Sequence, residues 1–93
     1  MEFREFDVSD YLTDESSIAE YLDAALEEDS PGAFLEALGH VAKARGMTQI
    51  SAATGLGRES LYKALTNDAQ PRYDTIRRVV EALGLRITIT PAP

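Results

Sequence analysis

The chain has no cysteine and no tryptophan, and only one histidine among its 93 residues. Without thiols there can be no disulfide framework and no thiolate metal site, and one imidazole cannot form a histidine cluster. Long apolar runs are missing too: none approaches the ~18 residues a membrane-spanning helix needs. The opening MEFREFDVSD is acidic where a signal peptide would be basic, so the sequence predicts no leader, no membrane association and a cytoplasmic protein. Catalytic signatures are also lacking. There is no glycine-rich phosphate loop, no H-E-x-x-H and no cysteine nucleophile, and nothing arranges serine, histidine and aspartate as a triad. These absences predict a non-enzyme without cofactor, metal or small-molecule substrate. An apolar share of 44% is ordinary, and the length suits one small domain, or a compact core with an arm.

Bases are scarce in one half only. The formal net charge is −7. Residues 1–30 hold eleven acids against a single base, Arg4, a net of −10, whereas residues 31–93 hold five acids and eight bases, a net of +3. Such asymmetry points to two different partners. The basic part suits phosphate, which would repel the acidic arm. A solvated acidic surface that only keeps the chain soluble would give the same composition.

Read in order, residues 1–13 mix Phe3, Phe6, Val8, Tyr11 and Leu12 with acids, consistent with an extended stretch and one helical turn that dock somewhere. Thr13-Asp14-Glu15 is a helix start, and Ile18, Tyr21, Leu22, Ala25 and Leu26 mark one apolar face to about Glu28. Glu27-Glu28-Asp29 oppose the helix dipole at its C-terminal end, which favours a binding role for them. Ser30-Pro31 restarts a helix as cap and first residue, with Phe34, Leu35, Leu38, Val41 and Ala42 inward to about Ala44 and Gly46 as the stop. His40 lies off that face, as a partly exposed structural residue. A turn-rich loop follows Leu65, and a last helix spans about Tyr73 to Leu83, closed by Gly84. Residues 85–90, LRITIT, alternate apolar and polar like a half-buried strand. With no second strand to pair it, this strand is expected to join its copy in a dimer through Leu85, Ile87 and Ile89, or to join a partner protein. The expected architecture is five helices and one orphan strand, with segments 1–30, 31–84 and 85–93.

The centre of the chain is Met47–Leu65, MTQISAATGLGRESLYKAL. Thr48 is expected to cap a first short helix, Gly55 to supply the positive φ of a tight turn, and Arg58 to open a second helix. Ile50, Leu56, Leu61, Ala64 and Leu65 are the expected apolar contacts, and a small Ser51 lets the two helices cross closely. Arg58, Glu59, Ser60, Tyr62 and Lys63 then face outward. That is the pattern of a helix-turn-helix with its recognition helix in the DNA major groove, although an ordinary αα-hairpin shares its gross features. Arg58 suits the O6 and N7 of guanine, and Glu59 suits a cytosine N4 or orients Arg58. Ser60 can reach a phosphate or base, and Gln49 is placed to grip backbone phosphate. Lys43, Arg45, Thr48, Arg72 and Tyr73 are further phosphate candidates, or else solvated surface side chains. A twofold dimer with half-sites ~34 Å apart is the expected arrangement on double-stranded operator DNA.

Four stretches in this order, FDVSDYL, IAEYLDAALEEDSPGAFLEALGHVAKARGMTQI, GLGRESLYKAL and DTIRRVVEALGLRITITP, resemble the addiction-module antidote proteins. These are HigA-like antitoxins with a Cro/C1-type, lambda-repressor-like helix-turn-helix. The resemblance implies an all-α, five-helix lambda-repressor-like domain, a cognate RelE/ParE-like toxin, and repression of the shared operon. Two positions depart from the usual motif: Gly57 stands where a capping serine or threonine is common, and Thr54 occupies a usually apolar site. A ribonuclease-like toxin is expected to be basic, so the acidic arm becomes the candidate toxin-binding segment. Phe3, Phe6, Tyr11 and Leu12 are its possible anchors and Asp23, Glu27 and Glu28 its rim charges. A stand-alone repressor without a toxin, and a protein-interaction module that has lost DNA binding, are the alternatives.

Overall fold

The computed structural model describes residues 14–93, and over that span the chain is all-helical, with five helices and no strand. The first, α1, covers Glu15–Leu26. Its N-cap is Asp14, whose Oδ1 accepts the Ser17 N–H at 2.7 Å, as the Thr13-Asp14-Glu15 signal predicts. Ile18, Leu22 and Ala25 are buried. Leu26, expected on the same face, is instead 60% exposed. It lies at one edge of the apolar stripe, an edge that the packing of α1 on α2 leaves uncovered. The helix also stops two residues short of Glu28.

Helix α2, Pro31–Arg45, begins with proline in its first turn as expected, but Ser30 makes no side-chain cap bond. Gly46, at φ 113°, ends it, and the Gly46 N–H still reaches the Ala42 carbonyl at 3.0 Å. Helix α3, Met47–Thr54, follows at once, then α4, Arg58–Ala64, and α5, Tyr73–Ala82. Gly84, at φ 82°, closes α5. Helix α1 packs on α2, while α3 touches α2, α4 and α5. Ile18, Leu38, Val41, Ile50, Leu61, Val79 and Leu83 are the fully buried centre of the core, drawn from every helix. The face expected for α2 agrees with this core at Leu35, Leu38, Val41 and Ala42, while Phe34 is only half-buried.

His40 is exposed and shares a hydrogen bond with the Tyr21 hydroxyl, Nδ1 to Oη 3.1 Å. Burial, then the charges of Glu36 and Glu28, push the Tyr21 phenol above its ordinary pKa.

Residues 85–93 form no strand among the described residues, so the strand expected at 85–90 is not formed here. The Leu85 N–H bonds to the Val80 carbonyl at 3.2 Å, and Leu85 packs against the core. Beyond it Ile87 and Ile89 are exposed, the latter by 96%. A strand exists only through a ladder with a second backbone, and these residues meet none. The expectations for Phe3, Phe6, Tyr11 and Leu12 lie outside the described residues.

Candidate nucleic-acid interface

The turn between α3 and α4 is built by its own polar groups. Gly55 takes the left-handed conformation, φ 75° and ψ 10°, and its N–H closes the helix on the Ser51 carbonyl at 3.0 Å. Ser51 is more than a small residue at a crossing, because its hydroxyl donates to the Leu56 carbonyl at 2.6 Å. Thr54 is buried, and its hydroxyl donates to the Ile50 carbonyl at 2.8 Å and accepts the Leu56 N–H at 3.2 Å. A polar residue at a usually apolar site is thus fully satisfied. Thr54→Val keeps the shape but leaves the Leu56 N–H without its acceptor. We expect it to lower stability by about 1 kcal/mol in urea unfolding, with a loss near zero counting against this role.

Gly57 is the N-cap of α4 and supplies no side-chain bond. The helix has seven residues, of which only Leu61 is fully buried. Arg58, Glu59, Ser60, Tyr62 and Lys63 are all exposed, and Ala64 and Leu56 are half-buried against the core. The outward set is therefore the one expected.

Other predicted residues lie on the two preceding helices. Lys43, in the last turn of α2, holds its Nζ 5.7 Å from the centre of the Tyr62 ring, a cation–π contact worth ~0.5–1 kcal/mol at an exposed site. Gln49 is exposed on α3. Thr48 is also exposed but is not the cap: α3 starts one residue earlier, with Gly46 at the cap position and Met47 buried beneath the first turn. Glycine's positive φ lets α2 run into α3 with no intervening loop, which leaves no room for a cap at position 48. Arg45 is half-buried, and Arg72 and Tyr73 are exposed at the start of α5.

The sequence did not single out Arg78. Its Nη1 donates to the Thr54 carbonyl at 3.2 Å, and its Nε pairs with Asp74 at 2.9 Å. It places a cation at the C-terminal end of α3, where the dipole favours one, and ties α5 to the turn. The i, i+4 spacing of Asp74 and Arg78 was the available signal. Arg77 bonds Asp74 at 2.8 Å and Glu81 at 3.1 Å. The Arg77 hydrogen bond, with both nearby guanidinium charges, holds the Asp74 carboxyl below the usual carboxylate range. Arg77 is thus committed to α5, and Arg78 to α5 and the end of α3, while Lys43, Arg45, Arg58, Lys63 and Arg72 form no ion pair among the described residues.

The opposite charge gathers on α1 and the start of α2. Residues 14–42 contain eight acids and no lysine or arginine. Asp23, Glu27 and Glu28 are all exposed. No three histidine, aspartate or glutamate side chains converge as metal ligands, and no helix is long and apolar enough to cross a membrane, among the described residues.

A family model described as "Probable addiction module antidote protein" matches residues 2–91. The chain belongs to that antidote family. Similarity extends to an uncharacterized protein of Haemophilus influenzae (strain ATCC 51907 / DSM 11121 / KW20 / Rd), 41% identical over 88 residues, which are 95% of this chain and 91% of that one. No solved structure matches the chain. Membership in the antidote family implies a toxin partner.

Proposed function

We propose that this chain is the antitoxin of a type II toxin–antitoxin module, binding and neutralising a RelE/ParE-like toxin and repressing its own operon through α4. It acts without catalysis. The observation that carries the DNA half is the division of α4, with Leu61 fully buried and five polar side chains exposed. Arg58 and Glu59 read base edges from the first turn of α4, Tyr62 and Lys63 from the next, and Ser60 reaches a phosphate or base. Lys43, Arg45, Thr48, Gln49, Arg72 and Tyr73 hold the backbone. Family membership supports the toxin half, with Asp23, Glu27 and Glu28 as steering charges. A lambda-repressor-like docking, with two copies across a twofold axis, sets two α4 helices one turn of DNA apart. The strand at Leu85–Thr90 forms when that backbone meets a second one.

Two measurements test the reading. Co-expression with the protein of the neighbouring reading frame, tagging only this chain, is expected to yield a stoichiometric basic partner that is toxic alone and harmless in the complex. Recovery of a lone homodimer beside a harmless neighbour would leave a stand-alone repressor. Titration of DNA from the gene's upstream region is expected to show affinity falling steeply with salt, as phosphate contacts release counterions. Arg58→Ala should cost about 1–3 kcal/mol and relax specificity at one base pair, whereas Lys43→Ala should weaken all sequences alike and reduce the salt slope by about one. Equal effects of both variants on every sequence would remove Arg58 from base reading.

A further inference from the structure

The tail after α5 leaves both backbone and apolar side chains uncovered. The Leu85 N–H is spent on the Val80 carbonyl, and Pro91 has no N–H to give. Between them, the backbone of residues 86–90 makes no hydrogen bond among the described residues. Ile87 is 41% exposed and Ile89 96%. An open groove of about 370 Å³ lies between this tail and α1, with Leu22, Leu26, Phe34, Val80, Leu85 and Ile87 as its apolar lining. Leu26, on the α1 wall, is also left exposed.

We infer that the tail pairs with the same tail of a second copy, antiparallel and centred on Thr88, and that Ile89 of each copy seats at the groove of the other. The inference rests on the twofold dimer of the reading above and gives it an interface. The unbonded stretch sets the register. Its middle residue is Thr88, and only a twofold axis there pairs all five residues of both copies: 86 with 90, 87 with 89, and 88 with 88. Side chains alternate faces with a period of two, so this register gathers Ile87 and Ile89 of both copies on one face. Ile89 of one copy then lies opposite Ile87 of the other, which lines that copy's groove. Charge selects the same occupant. Glu20 has a partner within the chain, and Asp23 on the α1 wall is balanced by Arg86 on the tail wall. A groove without net charge suits an uncharged segment, and residues 87–90, ITIT, carry no charged side chain. Arg86 falls opposite Thr90, so no like charges meet across the pair, and isoleucine and threonine are favoured strand residues.

The chain has no cysteine, so single cysteines in the full-length protein report the register without background. On oxidation, Thr88→Cys should form an intermolecular disulfide at least about tenfold faster than Arg86→Cys or Thr90→Cys, whose two copies stand four residues, about 13 Å, out of register. Ile89→Asp should weaken the dimer about thirtyfold or more by sedimentation equilibrium. Its helix content should stay at the wild-type value, because Ile89 lies outside the core of the single chain. Cross-linking at 86 or 90 as fast as at 88 would overturn the register, and with it the seat of Ile89. A dimer that Ile89→Asp leaves within about twofold of wild type would overturn the pairing and assign the twofold axis to another surface. A variant that stays dimeric but no longer holds the basic protein of the neighbouring reading frame would overturn it too, and assign the tail to that protein. A wild-type chain that remains monomeric would remove the dimer and the pairing together, while leaving the antitoxin reading to its own co-expression test.

Discussion

Leu61→Ala should destabilise the fold by about 2–5 kcal/mol, measured by urea unfolding. Leu61 has no exposed surface and lies in the core cluster with Ile50 and Val79. Truncation removes its contacts and leaves a cavity that α4 is poorly placed to fill. A seven-residue helix is far too short to persist on its own, so α4 is held by packing, in which Leu61 is its one fully buried side chain. Domain stabilities of about 5–15 kcal/mol make such a loss a large share of the total. Under the proposed function, DNA affinity should fall too, even at temperatures where the variant is folded, because the groove-reading residues lose their common support. Tyr62→Ala on the same helix is the contrast. Tyr62 is 40% exposed, and its removal should change stability by no more than about 0.5–1 kcal/mol, the value of the Lys43 contact. If Leu61→Ala cost less than about 1 kcal/mol, α4 would be anchored by something other than this side chain.

The contrast between these neighbours was legible in the sequence because it follows from local rules. Gly55 had to supply a positive φ, Pro31 had to begin a helix, and the spacing of Ile50, Leu61 and Leu65 separated an inward from an outward side. Each depends on residues within a turn or two. What was not legible depends on where distant segments come to lie. Thr48 has the chemistry of a cap, but Gly46 lets α2 run directly into α3 and moves the boundary. Leu26 fits the apolar period of α1, yet only tertiary packing decides which edge of that stripe is covered. Arg78 reaches the Thr54 carbonyl across 24 positions, and no local pattern announces that bond. Residues 85–90 have the alternation of a strand, but a ladder needs a second backbone that their own sequence cannot provide. The same limit applies to the interface: exposure of Arg58, Glu59, Ser60, Tyr62 and Lys63 follows from periodicity, whereas the nearness of Lys43 to Tyr62 emerges only when α2 and α4 are set side by side.

Gly39→Val should cost about 3 kcal/mol, against the usual expectation for a glycine inside a helix. Replacing a mid-helix glycine ordinarily gains up to about 1 kcal/mol, since the glycine has more backbone freedom to lose. Position 39 reverses that sign because α2 carries glycine at two positions, Gly32 and Gly39, seven residues and two turns apart on one face. The backbone at the end of α4 and the loop after it lies directly on that face. A Cβ at Gly39 would sit 2.8 Å from the Leu65 carbonyl oxygen and 3.3 Å from the Leu65 Cβ, and one at Gly32 would run into the Asn67 carbonyl. Relief at Gly39 is hard to find, because Leu65 is buried and its N–H is held by the Leu61 carbonyl at 3.1 Å. Overpacking of this kind costs about 1–3 kcal/mol, which exceeds the propensity gain, and the second branch of valine adds to the clash. Gly39→Ala should therefore be mildly destabilising and Gly39→Val markedly so, with the urea midpoint falling in that order. Equal or raised midpoints for both would mean that α2 and the end of α4 can separate freely, and the close approach would then not be what sets the position of α4 against the core.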